Sequence, residues 1–149
     1  MPARMHWLLL ALVIAIALAS AGSPAVAAGA DQTNADPYAD RLGEAVNQYR
    51  VRQGKEPLGA DPALAALARE HSIAMAKAGR LGHDDFQSRF RRSGYGMCVE
   101  NVGWNYTTPA AQLQAWQQSP GHDHNLVDPR VRHMGIGTAS DYVTFIGCR

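Results

Sequence analysis

Asp61-Pro62-Ala63-Leu64-Ala65-Ala66-Leu67-Ala68-Arg69-Glu70-His71-Ser72-Ile73-Ala74-Met75-Ala76-Lys77-Ala78-Gly79 is the stretch whose reading decides the fold. Aspartate before proline is a helix start. The carboxylate accepts from backbone N–H groups that have no partner in the first turn, and proline at the first helical position gives up an N–H that would stay unpaired anyway. Leu64, Leu67, Ala68, His71, Met75 and Ala78 then share one stripe at helical spacing, which Gly79 stops. A helix with one apolar stripe buries one face.

Working outward, Asp36-Pro37 repeats the start signal, and Tyr38, Leu42, Ala45, Val46 and Tyr49 recur at helical spacing as far as Gly54. On the other side, residues 85–93 form a shorter amphipathic piece ending at Gly94. Thr108-Pro109 opens another helix that runs through Leu113 and Trp116 to Gln118, where Pro120-Gly121 breaks it. Strand signals cover residues 99–104, 134–138 and 142–146, the last two joined through Ala139-Ser140-Asp141 as a hairpin connection. Three short strands set apart from the helices predict an α+β layered domain rather than a doubly wound sheet.

The amino terminus reads as an address. Arg4 supplies a positive start, residues 7–18 are apolar without a charge, and Ala25-Val26-Ala27 fits a small-x-small cleavage site. The apolar run is about a dozen residues, short of the roughly 20 a spanning helix needs. Residues 1–27 are therefore a cleavable signal, 28–35 a flexible leader and 36–149 the domain, secreted or periplasmic and without a transmembrane anchor after processing.

Losing Arg4 takes Lys+Arg from 14 to 13 against 13 Asp+Glu, so the mature chain is formally neutral. Nucleic acid is excluded as a partner: the densest basic run, Arg89-Phe90-Arg91-Arg92, is one short cluster that fits the solvated side of a helix. Two cysteines, Cys98 and Cys148, enter an oxidising compartment, and pairing them is the economical reading, with two free thiols as the alternative. A closed loop of about 50 residues stabilises by about 4 kcal/mol in the chain-entropy model.

Several segments together resemble one family. Asn47-Gln48-Tyr49-Arg50, Leu58 with Asp61-Pro62-Ala63-Leu64, Gly82-His83, Glu100-Asn101-Val102-Gly103-Trp104, the run from Trp116 to Asn125, and Met134-Gly135-Ile136-Gly137 stand in the order found in the CAP superfamily. This superfamily, also called SCP domains, groups cysteine-rich secretory proteins, antigen 5 and pathogenesis-related proteins with secreted bacterial relatives. The resemblance implies a three-layer α-β-α sandwich with a small antiparallel sheet, and a cleft lined by two histidines and up to two glutamates. Position by position, His83, Glu100 and His122 fall on three of those four. The second glutamate belongs in the helix before His122, where the chain has only Gln112, Gln114, Gln117 and Gln118.

Two imidazoles and a carboxylate would hold zinc or another divalent metal with a fourth position open. The spacing itself carries no metal signature. His122, after Pro120-Gly121, would open a short helical turn whose positive end keeps the ring neutral. The other histidines are expected to be bland: His71 and His133 hydrogen-bonded and partly buried, His124 in a solvated loop. Asn101 and Asn125 are expected at bends, pairing loop backbone. Trp104, Trp116 and Tyr142 are expected as core or cleft-wall aromatics.

Ser119 has no assigned base, and no nucleophile elbow occurs. The resemblance therefore implies a non-enzymatic secreted module whose cleft takes a small-molecule, lipid or cell-envelope ligand. The competing readings are a metal-dependent hydrolase and a lipid or sterol binder. With one glutamate unable to be both ligand and free base, the hydrolase is disfavoured.

Overall fold

Every proline-marked start nucleates a helix. In the computed structural model, which describes residues 36–149, Asp36 accepts from the Ala39 N–H at the head of α1 (Pro37–Arg52). The two-residue strand β1 (Gly59–Ala60) leads into α2 (Pro62–Ala78), where Asp61 accepts from the Ala63 and Leu64 N–H groups and Gly79 ends the helix at φ 61°. Next come α3 (Phe86–Ser93), β2 (Cys98–Trp104) and α4 (Pro109–Gln117), the last capped by the Thr108 hydroxyl. The chain closes with α5 (Pro120–Val127), β3 (His133–Ala139) and β4 (Tyr142–Cys148). The signal at 1–27 and the leader at 28–35 lie outside the described residues.

The strand order is β1-β3-β4-β2. β3 and β4 form an antiparallel hairpin through Ser140-Asp141, one residue shorter than expected, and β2 runs antiparallel to the other side of β4. The sheet is not wholly antiparallel, because β1, which carries no apolar run to announce it, adds a parallel pairing at the β3 edge. Every residue of β4 is buried, as befits a strand covered on both faces.

α2 covers one face of the sheet, while α1, α4 and α5 lie on the other. The larger core, on the α1 side, contains Leu42, Val46, Trp116, Leu126, Val143 and Phe145. The opposite core contains Leu64, Leu67, Ala68 and Ile146 with the cystine. Cys98 and Cys148 are register partners on β2 and β4, 4.2 Å apart at Cα, and they are joined as a disulfide.

α2 rests on β3 without side chains in between. A Cβ added at Gly135 would lie 2.1 Å from the Leu64 carbonyl carbon, and one at Gly137 2.3 Å from the Arg69 backbone nitrogen. The Gly-x-Gly spacing puts both glycines on the same strand face, so the helix can seat at backbone distance. Ser72, reaching from that helix, donates to the Gly137 carbonyl at 2.8 Å.

Candidate functional site

β2 is the open edge of the sheet, and its alternating side chains serve two different sides of the molecule. Glu100 turns toward α2 and α3, whereas Asn101 turns toward α5. Asn101 donates to the His122 carbonyl at 3.0 Å, and Asn125 donates to the Asn101 side chain at 2.9 Å and to the Glu100 carbonyl at 3.2 Å. These two asparagines are structural, as expected, but they sit inside β2 and α5 rather than at bends. They tie α5 to the edge strand and so fix where His122 stands.

His83 arrives from the irregular segment between α2 and α3. Its ring lies 6.3 Å from that of His122, centroid to centroid, so these residues far apart in sequence face one another beside the β2 edge. Glu100 completes the group: its Oε1 accepts from His83 Nδ1 at 2.9 Å.

Arg89 controls what Glu100 can do. Its Nε donates to Oε2 at 2.7 Å and its Nη2 to Oε1 at 2.8 Å, while Nη1 donates to the Asp84 carbonyl at 2.6 Å. Both partners are almost wholly buried, with side chains 7% and 2% exposed. Burial pushes the Glu100 pKa up, but the His83 and Arg89 hydrogen bonds and the Arg89 charge outweigh it and hold the carboxyl below its ordinary value. Arg89 was expected on a solvated face. The local signal was slight: Arg89 stands three residues after Phe86, on the same side of the helix, and Phe86 itself is only partly buried.

His71 is buried as expected. Its Nε2–H donates to the Gly82 carbonyl at 2.8 Å, and the same nitrogen lies 3.8 Å from Glu100 Oε1. Burial pushes its pKa down, so the ring is neutral at pH 7. His122 is also held below its ordinary value, first by burial and then by the neighbouring His83. His124 is on α5 rather than in a loop, and is exposed; His133 begins β3, exposed, with its ring 5.5 Å from that of Tyr95.

Gln112, one of the four glutamines before His122, is buried beneath the sheet, where its amide atoms lie on Gly103 and find no hydrogen-bond partner. Gln114 and Gln118 are exposed and Gln117 is partly buried. Trp116 is core, with Nε1–H donating to the Val102 carbonyl at 2.9 Å, and Tyr142 is buried. Trp104 is not core: it is half-exposed at the end of β2.

The donor chemistry divides the three site residues into two kinds. Among the described residues, no group of three His, Cys, Asp or Glu side chains is arranged around a common metal position. Glu100 has both oxygens engaged, each accepting from the Arg89 cation. His83 is different. Donating Nδ1–H to a carboxylate assigns its tautomer and leaves the Nε2 lone pair unshared, the arrangement typical of a metal-binding histidine. Two metal–nitrogen bonds of about 2.0–2.1 Å span roughly 4 Å between nitrogens, so rings 6.3 Å apart lie near the outer limit for sharing one ion. The fit is to an imidazole pair, with Glu100 orienting one ring.

The chain is similar to known proteins over most of its length. Residues 44–148 match the cysteine-rich secretory protein family, CAP. The chain is 30% identical over 128 residues to the Bacillus subtilis protein YkwD, covering 77% of this chain and 49% of that protein. A Bacillus anthracis extracellular protein containing an SCP domain superposes with a TM-score of 0.72 at 24% identity, covering 76% of this chain and 40% of the other. An outer surface protein of Borrelia burgdorferi superposes with a TM-score of 0.64 at 19% identity, covering 74% and 91%. The chain thus spans about half the length of YkwD.

Proposed function

Starting from the chain's membership of the CAP family, we propose that it is an exported, non-enzymatic binding module whose cleft presents His83 and His122 to a ligand or a divalent cation. The observation that carries this reading is the engagement of Glu100, whose two oxygens are held by Arg89 and His83. A general base must reach the proton it takes; this carboxylate is buried and already accepts three hydrogen bonds. The Gln112 amide is buried without a hydrogen-bond partner, and an amide cannot take a proton as a general base. His83 Nε2 and the neutral His122 ring are the groups left to meet a ligand.

Zinc, if bound, would supply Lewis acidity toward an oxygen ligand; the protein's share is to orient His83 through Glu100 and to hold α5 on β2 through the two asparagines. Export is supported by the amino-terminal sequence and by the similarity to the extracellular Bacillus anthracis protein and the Borrelia outer surface protein. No helix among the described residues is long and apolar enough to cross a membrane.

The test pairs zinc titration of the mature protein with assays on generic ester and peptide substrates. One zinc per chain, lost in the His83→Ala, His122→Ala double variant, with no turnover above a mock purification, is the expected result. A zinc-dependent activity abolished by His122→Ala would replace the binding module with a hydrolase, and absence of zinc binding would remove the cation from the reading.

A further inference from the structure

A pocket with no histidine in its lining opens where the sheet ends. Asn105 lies five residues along the chain from Glu100, about 15 Å at strand rise. The pocket has a volume of about 300 Å³ and is bounded by the start of α1, the residues after β2 and the β3–β4 turn. That is the lower end of the range for small-molecule sites.

Its walls are aromatic and held in place. The Tyr38 hydroxyl donates to the Tyr106 carbonyl at 2.9 Å and to the Thr108 carbonyl at 3.2 Å, which braces that ring against the facing loop. Tyr106 is 42% exposed. Tyr142 contributes to the lining and touches the half-exposed Trp104, ring centroids 6.2 Å apart. Of the four exposed large apolar residues among those described, two, Trp104 and Tyr106, are at this end of the sheet. Tyr106 lines the pocket, and Trp104 stands beside it against the lining Tyr142; exposed apolar surface next to a pocket is a mark of recognition.

Its rim is polar and carries the Asp141 carboxylate, and the lining Thr138 hydroxyl donates to a second carboxylate, Asp36, at 2.6 Å. Asn105, Ser140 and Asp141 are exposed, and a bond from the Asn105 N–H to the Asp141 carbonyl at 2.9 Å joins the two loops that carry them. The backbone is unusual at two of these positions: Asn105 has φ 65° and Ser140 φ 50°, two of the three non-glycine residues at positive φ among those described. A two-residue hairpin forms most readily with Asn-Gly. Ser140-Asp141 places a hydroxyl and a carboxylate there instead, with Ser140 in the left-handed region that L residues rarely adopt, and such positions gather at ligand clamps.

We infer that this pocket binds a neutral saccharide. Flat aromatic faces pack against the C–H face of a pyranose ring, while the amide, hydroxyl and carboxylate groups at the rim pair with its hydroxyls. A wholly apolar ligand would leave those rim groups unpaired. An anionic sugar would meet Asp141 with no Lys, Arg or His in the lining to offset it. The site is separate from the histidine cleft and does not depend on what that cleft binds.

The test titrates the mature protein with chitotetraose and cellotetraose, with tetragalacturonate as the anionic comparison. Without residues 1–27 the tryptophans are Trp104 and Trp116, and Trp116 is 1% exposed, so a fluorescence change reports on Trp104. Amide NMR shifts at Asn105, Ser140 and Asp141 give a second, local readout. A saturable response to a neutral tetrasaccharide is expected, with none to tetragalacturonate. Affinity should fall at least about tenfold in Tyr106→Ala and in Asp141→Ala, and stay unchanged in Val51→Ala, another exposed apolar residue on α1. Both pocket positions are exposed; should either variant fail to fold, the wild-type NMR shifts and the other variant decide. No saturable response up to about 10 mM, or binding kept in both folded variants, overturns the inference. So does concentration-dependent dimerisation that buries Tyr106, which would make a second copy of the chain the occupant.

Discussion

Replacing Arg89 by methionine is the sharpest test of how the cleft is built. The side chain places two hydrogen bonds of 2.7 and 2.8 Å on Glu100 and one of 2.6 Å on the Asp84 carbonyl, from a position with 7% exposure. Methionine keeps the bulk and removes the charge, leaving a carboxylate that is 2% exposed with His83 as its one close donor. Breaking a buried pair by removing one partner costs about 3–5 kcal/mol. A domain of this size has about 5–15 kcal/mol in total, so the variant should remain folded but be visibly weakened. Urea unfolding followed by circular dichroism at pH 7 measures the loss.

The pH dependence makes the argument specific. In the wild type the Glu100 pKa is depressed in the fold, so its contribution is present above the unfolded value of about 4.3 and fades as pH falls through the folded one. In Arg89→Met, burial should raise that pKa above the unfolded value, making the ionised carboxylate a liability that disappears as it protonates. The stability gap between the two proteins should therefore shrink from pH 7 to about pH 4. An Arg89→Met, Glu100→Met double variant should recover most of the loss, because a buried ion pair exchanged for apolar side chains is often neutral or better. A loss below about 1 kcal/mol at pH 7, or a double variant as weak as the single, would refute the buried pairing.

The histidines predict acid sensitivity of their own. The pKa values of His71 and His122 are depressed, chiefly by burial, so their contribution is full above about 6.5 and declines as pH falls below it; maximal stability measured near pH 5 would contradict this. Gly137→Ala sets a Cβ 2.3 Å from the Arg69 backbone nitrogen and should cost at least about 1–3 kcal/mol by thermal unfolding. Gln112→Met removes two buried amide atoms without partners and should raise stability by about 1–3 kcal/mol, read from the urea midpoint.

Much of the architecture was legible because its signals are local. Asp36-Pro37, Asp61-Pro62 and Thr108-Pro109 each cap and start a helix within one turn, and the three observed caps use those side chains. The Cys98–Cys148 bond followed from compartment and count. The two-residue β1 was not legible, because its pairing with β3 rests on backbone alone. His83, Glu100 and His122 could be named through the family pattern, yet their distinct environments could not. Which partner a buried charge has depends on elements brought together from remote parts of the chain. α3 carries Arg89 under β2, and Asn101 with Asn125 seats α5 on the same strand. Local preferences along the chain thus determined where the main helices and strands run, whereas the engagement of Glu100 was decided only when long-range packing excluded water and left the carboxylate to Arg89 and His83.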